Sequence, residues 1–248
     1  MSDDGARGGG LATRLGAIPW ALRTVAREVV SRVRGEPPVR EAALRWAREH
    51  AKPGDPASVL ASLDRFAVER RFLMNVGDEK GPLLDRIVGR IGPGARILEL
   101  GTFVGYSAVL MSRHLGAAGR LVSIDVDPES ARVGRSMAEF AGTADRCEFL
   151  HGKSTDVLGR LDRPFDLVFL DHWKGLYLPD ARVILDRGLL APGGTIVADN
   201  VGPLFGDNPY VPWMRAREDF ESQYVPGHVE YETIEDGVLV SRHRPARA

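Results

Sequence analysis

ARILELGTFVGYSA, residues 95–108, passes from a short apolar stretch through a glycine loop into a helix-like segment. The apolar part has strand length, and the loop behind it holds Gly101 and Gly105 four positions apart. Glycines there let backbone N–H groups approach a ligand, and the helix start can face an anionic group. The spacing is not the G-x-G-x-x-G of a pyrophosphate loop. Alone, such a loop is also what any tight strand-to-helix turn looks like.

Four similar stretches follow: RLVSID (120–125), RCEFLH (146–151), FDLVFL (165–170) and GTIVAD (194–199). Each is rich in Val, Ile, Leu or Phe, and the segments between them are long enough for crossover helices. Strands apolar on both faces that alternate with helices predict a parallel sheet between helix layers. HVEYETIEDGVLVSRH (228–243) places Asp236-Gly237 between two strand-like runs, which predicts a closing antiparallel hairpin turning at that dipeptide. The expected fold is therefore α/β and Rossmann-like, a mostly parallel sheet with a C-terminal antiparallel hairpin and helices on both faces. Ahead of it, REAALRWAREH (40–50) reads as one helix, and Asp55 reads as the cap of another that starts at Pro56 and buries Val59, Leu60, Leu63, Phe66 and Ala67.

The chain has 248 residues, 44% hydrophobic, enough for one domain with a sizeable core. Its formal net charge is -1, so no whole-molecule field draws it to nucleic acid, and a small molecule is the expected partner. No obligatory protein partner is evident. Cys147 is the only cysteine, which excludes a disulfide framework and fits a cytoplasmic address. Residues 1–38 read as a basic amphipathic extension and linker, and 39–248 as the catalytic domain. In the extension Leu11, Leu15, Ile18, Leu22, Val25 and Val29 fall at helical spacing among Arg14, Arg23, Arg27, Arg32 and Arg34, with Pro19 starting a second helical piece at Trp20. It reads as an extension docked on the domain, with contact to an anionic membrane surface as the alternative.

Ligands of open α/β sheets sit at the carboxyl ends of the strands. Four of the five predicted parallel strands end on an acid: Glu99, Asp125, Asp171 and Asp199. Asp125 can hold ribose hydroxyls, or it can cap the helix at Pro128. Together with the glycine loop it suggests an adenosine-containing cofactor that lacks a dinucleotide pyrophosphate. Asp171, Asp199 and Asn200 offer hard oxygen ligands from neighbouring strand ends, which suits Mg²⁺ and not zinc. Lys174, three residues past Asp171, is a candidate general base. His172 reads as a cofactor-contacting imidazole.

AKPGDPASVL, MNVGDEKG, LELGTFVGYSAV, FLDHWKGLYLPD, ADNV and VEYETIEDG, taken in order, make residues 40–243 resemble the catechol O-methyltransferase family. The resemblance implies the S-adenosylmethionine-dependent methyltransferase fold and Mg²⁺-dependent transfer of a methyl group to one hydroxyl of a catechol. It implies that Val76, Glu99, Gly101, Tyr106 and Ser107 shape the methionine end of the cofactor pocket. Asp125 would then bind the ribose, and Val126, Ser154, Thr155, His172 and Trp173 would surround the adenine. Asp171, Asp199 and Asn200 would hold Mg²⁺, with Asp171 also near the cofactor ammonium. Lys174 would be the base, Glu230 would bond the second hydroxyl, and Phe72, Met74, Trp173 and Pro203 would wall the ring. Phe72 stands where mammalian members carry tryptophan, Lys153 replaces a small residue, and GPLFGDNPYVPWM (202–214) is rearranged.

Three other readings compete. A nucleotide-dependent oxidoreductase shares the fold but leaves Asp171, Asp199 and Asn200 unexplained. A caffeoyl-CoA-type methyltransferase should need a basic patch for its coenzyme. A non-catalytic cofactor-binding module should lack a metal ligand or Lys174, and the chain keeps all of them.

Overall fold

A computed structural model describes residues 18, 22, 24–26, 29–31, 33–206 and 208–244. The stretch 95–108 forms β1 (Arg96–Leu100), the glycine loop and α4 (Tyr106–Ser112). Three helices precede it: α1 (Val39–His50), α2 (Pro56–Glu69) and α3 (Gly77–Ile91). After it come β2 (Arg120–Asp125), α5 (Pro128–Ala141), β3 (Cys147–His151), α6 (Ser154–Leu158), β4 (Phe165–Leu170) and α7 (Tyr177–Asp186). The chain closes with β5 (Leu190–Ala198), α8 (Tyr210–Arg215), β6 (Phe220–His228) and β7 (Glu235–His243).

The strands form one sheet in the order β3-β2-β1-β4-β5-β7-β6. The first five pair in parallel, and β7 runs antiparallel to both β5 and β6. Side chains alternate across the sheet with period two. Ile97, Leu121, Leu167 and Val197 therefore pack on one face with Leu63, Val88, Val109 and Met137 of α2 to α5. Leu98, Val122, Val168 and Ile196 pack on the other with Leu158, Ile184 and Met214 of α6 to α8. The same alternation carries Glu99 to the Ile97 side, fully buried.

Local signals behave as their chemistry requires. Asp55 accepts a hydrogen bond from the Ser58 amide at 3.0 Å and caps α2. Asp127, not Asp125, caps α5, accepting from the Glu129 amide at 2.9 Å, so Asp125 is spared for the strand end.

Two sequence expectations need correction. β5 begins at Leu190, four residues before GTIVAD. The hairpin is present, but Asp236-Gly237 is not its turn: both residues lie inside β7, opposite Gly227 and Pro226, and residues 229–234 make the connection. Asp-Gly has a strong local preference for turns, yet the Asp236 carboxylate is buried among Lys80, Asn200 and the Gly202 amide. Tertiary hydrogen bonds outweigh turn propensity there.

In the extension, the described residues from Ile18 to Val33 are helical. The readings of Leu11, Arg14, Leu15, Pro19, Trp20, Arg23, Arg27 and Arg32 lie outside the described residues. Ser31 is buried, and Ala26 and Val30 border a cavity shared with Trp46 and Phe66 of α1 and α2. Leu22, Val25 and Val33 instead face solvent, at 65%, 62% and 83% exposure. Among the described residues no helix is long and apolar enough to cross a membrane.

Candidate active site

The strand order reverses direction at β1, whose neighbours are β2 and β4. Beyond the carboxyl ends of these three strands lies a cleft of about 500 Å³, where open α/β sheets take their ligands. Gly101, Asp125, Val126, Ser154, Thr155, Asp171, His172 and Trp173 line it, together with Phe103 and Lys153. Asp125 is locked in place from both sides. Its Oδ2 accepts from the Thr102 and Phe103 amides at 3.0 and 3.1 Å, and its Oδ1 accepts from the Asp127 amide at 2.9 Å. His172 Nε2 pairs with buried Asp180 at 2.7 Å, which sets the ring's orientation in the wall.

The glycine loop is dictated by close approach. Gly101 has φ 104°, and a Cβ there would run into the backbone carbonyl of Asp171. Gly105 has φ 83°, and its Cβ would sit 2.9 Å from the Gly134 Cα. Replacing Gly101 with alanine should therefore destabilise the fold, by on the order of 1–3 kcal/mol from the backbone conformation alone. Urea unfolding checks this, and an unchanged midpoint would contradict it.

Four other residues assigned to the cofactor are not among those that line this cleft. Val76 belongs to the core, Ser107 is buried in α4, and Tyr106 borders a separate cavity with Asp64 and Asp85. Glu99 is fully buried and accepts a hydrogen bond from Ser123 Oγ. Burial pushes its carboxyl from the ordinary 4.5 up to about 7. The folded chain then keeps a proton that the unfolded chain releases from about pH 4.5 upward. The stabilisation is complete below pH 4.5 and is lost as pH rises through 7. Between pH 4.5 and 8, the unfolding free energy of Glu99→Gln should gain about 3 kcal/mol on that of the unsubstituted protein. Urea titrations at the two pH values test it, and a difference independent of pH would refute it.

At the ends of β4 and β5 a second cluster adjoins the cleft. Lys174 Nζ donates to Asn200 Oδ1 at 2.8 Å, to Tyr177 Oη at 2.9 Å and to Asp171 Oδ1 at 3.3 Å. Tyr177 is fully buried, and its hydroxyl lies 2.8 Å from the Leu170 carbonyl and 3.0 Å from that of Asp199. It thereby fixes Lys174 to both strand ends. Trp173 is 77% exposed, and Lys174 Nζ lies 5.2 Å from the Tyr177 ring centroid and 5.5 Å from that of Phe205. Asn200 has φ 51°, a left-handed conformation that asparagine tolerates better than most residues.

Burial pushes the Asp171 carboxyl up to about 7, against the opposing effect of Lys174, and it also raises Asp199. Glu230 is raised to about 7 by burial, against the opposing effect of Lys80. Asp199 Oδ2 and Glu230 Oε2 are buried without a hydrogen-bond partner among the described residues. Such oxygens call for a cation or a donor hydroxyl. Asp171, Asp199 and Asn200 thus fit a hard divalent ion.

The predicted set omitted two members of this cluster. Lys80, in the first turn of α3, is buried and places Nζ 2.6 Å from Asp199, 2.7 Å from Glu230 and 2.7 Å from Asp236. The three carboxylates alone would make a metal-sized cage, but the ammonium occupies it. Both residues belong to runs that carried the family resemblance, MNVGDEKG and VEYETIEDG. Of the substrate residues, Met74 is 43% exposed beside the Asn75–Gly77 segment. A Cβ on Gly77 would lie 3.0 Å from Glu230 Cγ, so that segment backs onto Glu230. Phe72 lies two residues before Met74, and Pro203 starts the short helical turn Pro203–Phe205. Burial pushes the Cys147 thiol up to about 11, away from the thiolate range of reactive cysteines.

A nucleotide-type cleft at the switch point, next to an oxygen cluster and a lysine, is the arrangement of an α/β enzyme that uses a nucleoside-containing cofactor. A family model described as O-methyltransferase matches residues 50–206, and the chain belongs to that family. It is 38% identical over 227 residues to catechol O-methyltransferase B of Danio rerio, covering 90% of this chain and 84% of the relative. It is 40% identical over 214 residues to a probable O-methyltransferase of Mycobacterium tuberculosis, covering 82% and 91%. Among solved structures, the O-methyltransferase TomG of Streptomyces achromogenes in complex with SAM superposes with a TM-score of 0.64 at 26% identity, covering 75% and 89% of the two chains.

Proposed function

We propose that this enzyme transfers the methyl group of S-adenosylmethionine to one hydroxyl of a catechol, with Mg²⁺ held by Asp171, Asp199 and Asn200. The observation that carries this reading is the convergence of those three side chains with the Lys174 amine beside the donor cleft. When bound, the ion supplies Lewis acidity to a chelated hydroxyl, and the donor supplies an electrophilic methyl. Lys174 Nζ takes the proton of the hydroxyl to be methylated. Glu230 Oε2 accepts a hydrogen bond from the second hydroxyl. Asp125 holds the ribose, His172 and Trp173 flank the adenine, and Phe72, Met74 and Trp173 border the ring. Charge disappears as an anionic oxygen meets a cationic donor, so a buried site favours transfer.

The test is radiolabelled methyl transfer to a panel of phenols. Vicinal diols should be methylated and matched monophenols should react at least about 10²-fold more slowly, because only diols can bridge ion and Glu230. Equal rates would overturn the catechol reading.

We also propose that the extension rests on an anionic membrane surface, which a cytoplasmic enzyme meets on the inner leaflet. Supporting this is the outward stripe of Leu22, Val25, Val29 and Val33, in a segment, 11–34, that carries five arginines against the single acid Glu28. The full chain should sediment with vesicles containing phosphatidylserine and be released at high salt. Equal binding to neutral vesicles, or none, would count against it.

A further inference from the structure

Asp236 and Lys80 use their hydrogen-bonding capacity in a lopsided way. Asp236 is fully spent: Oδ2 accepts from Lys80 Nζ at 2.7 Å and from Asn200 Nδ2 at 2.9 Å, and Oδ1 accepts from the Gly202 amide at 3.0 Å. Lys80 spends its three protons on one oxygen each of Asp199, Glu230 and Asp236. Asp199 Oδ1 is thereby taken, by Lys80 and by the Asn200 amide at 2.7 Å, and Glu230 Oε1 is taken by Lys80 and by Asn200 Nδ2 at 3.2 Å. One oxygen on each of these two acids is left over, Asp199 Oδ2 and Glu230 Oε2, and both are buried without a hydrogen-bond partner among the described residues.

The side-chain amide of Asn200 is oriented by the same contacts. Its Nδ2 faces the carboxylate oxygens of Glu230 and Asp236, and its Oδ1 accepts from Lys174 Nζ at 2.8 Å. Turning the amide over would set its oxygen against two carboxylate oxygens and its NH₂ against the N–H that Lys174 donates. Only one orientation is compatible with these neighbours.

We propose that Lys80 and Asp236 are positioning residues forming a buried clamp. The clamp selects which oxygens the site presents: Asp199 Oδ2 and Asn200 Oδ1 to the divalent ion, and Glu230 Oε2 to the diol. Neither residue touches substrate or ion. Lys80 is the permanent internal cation that allows three acids to be buried together, and Asp236 anchors both Lys80 and the Asn200 amide. The inference rests on the metal reading above and adds the residues that prepare that site.

The experiment is Mn²⁺ binding to purified protein without donor or substrate, read from the free-ion electron paramagnetic resonance signal. Asp236→Asn keeps Lys80 paired with Asp199 and Glu230 but turns one set of donors against another. It should weaken Mn²⁺ binding by about 10- to 100-fold, as loss of residues behind metal ligands does. Its affinity for S-adenosylhomocysteine in EDTA should stay within about twofold, because Asp236 does not line the donor cleft. Asp236→Asn with unchanged Mn²⁺ affinity overturns the clamp. If that variant does not fold, the unsubstituted protein still decides. In metal-free protein the Asn200 side-chain NH₂ protons should exchange slowly with solvent, and exchange at the free-amide rate overturns the clamp. Failure of the unsubstituted protein to bind Mn²⁺ at all would overturn the metal reading instead.

Discussion

Lys174→Met should lower kcat for methylation of a catechol by about 10²- to 10⁴-fold, the range expected when a positioned base is removed. Affinity for S-adenosylhomocysteine should hardly change, because Lys174 is not among the residues lining the donor cleft. Tyr177 holds the base in place. Its buried hydroxyl is tied to carbonyls at the ends of two neighbouring strands and holds the amine at 2.9 Å, so the base is preorganised on rigid elements. Methionine keeps the length of the stem and removes only the group that receives the proton. The variant's residual rate should rise about tenfold per pH unit below the catechol pKa, because only substrate ionised in solution can then react. A residual rate flat with pH, or kcat within about threefold of the starting enzyme, would remove Lys174 from the base role.

Stripping divalent ions with EDTA should reduce turnover by about 10²-fold or more, and Mg²⁺ should restore it. That is the rate equivalent of the several kcal/mol a Lewis acid contributes to a developing oxyanion. Asp199→Asn and Asp171→Asn should reproduce the loss, with partial recovery at high Mg²⁺. Asp199 is fully buried with an oxygen that has no partner among the described residues, and the Asp171 side chain is only 11% exposed, so the cost of keeping them charged has to be offset by a cation. Lys80 offsets only part of it, because its three protons go to Asp199, Glu230 and Asp236 and none goes to Asp171. Full activity in EDTA would mean that the protein's own lysines suffice.

How much could be read beforehand depended on whether a residue's role was local. Strands β1 to β4 appear within a residue of their predicted limits because their apolar runs and flanking breakers are local signals. Asp125, Asp171, Asp199 and Asn200 were legible because strand ends in this fold converge on one rim. Asp236 was misread because its local chemistry, Asp before Gly, argues for a turn, while its actual partners are 156 and 36 positions away in sequence. Lys80 was missed for a related reason. A lysine in a first helical turn ordinarily points to water, and only the folding of β7 against α3 reveals three acids around it. Tyr177 drew no reading: an aromatic at the start of a helix looks like core, and only the fold shows its hydroxyl holding the base. Phe205, 5.5 Å from the Lys174 amine, was not anticipated because it comes from a segment whose sequence pattern gave no register.

The account stands on one shared cation next to the donor cleft. Crystals grown with Mn²⁺ and S-adenosylhomocysteine would locate it by anomalous scattering. The predicted result is a single strong peak within bonding distance of Asp171, Asp199 and Asn200, with Lys80 still enclosed by Asp199, Glu230 and Asp236. A map with no peak between those three side chains, or with the ion caged by Asp199, Glu230 and Asp236 in place of the Lys80 ammonium, would contradict it.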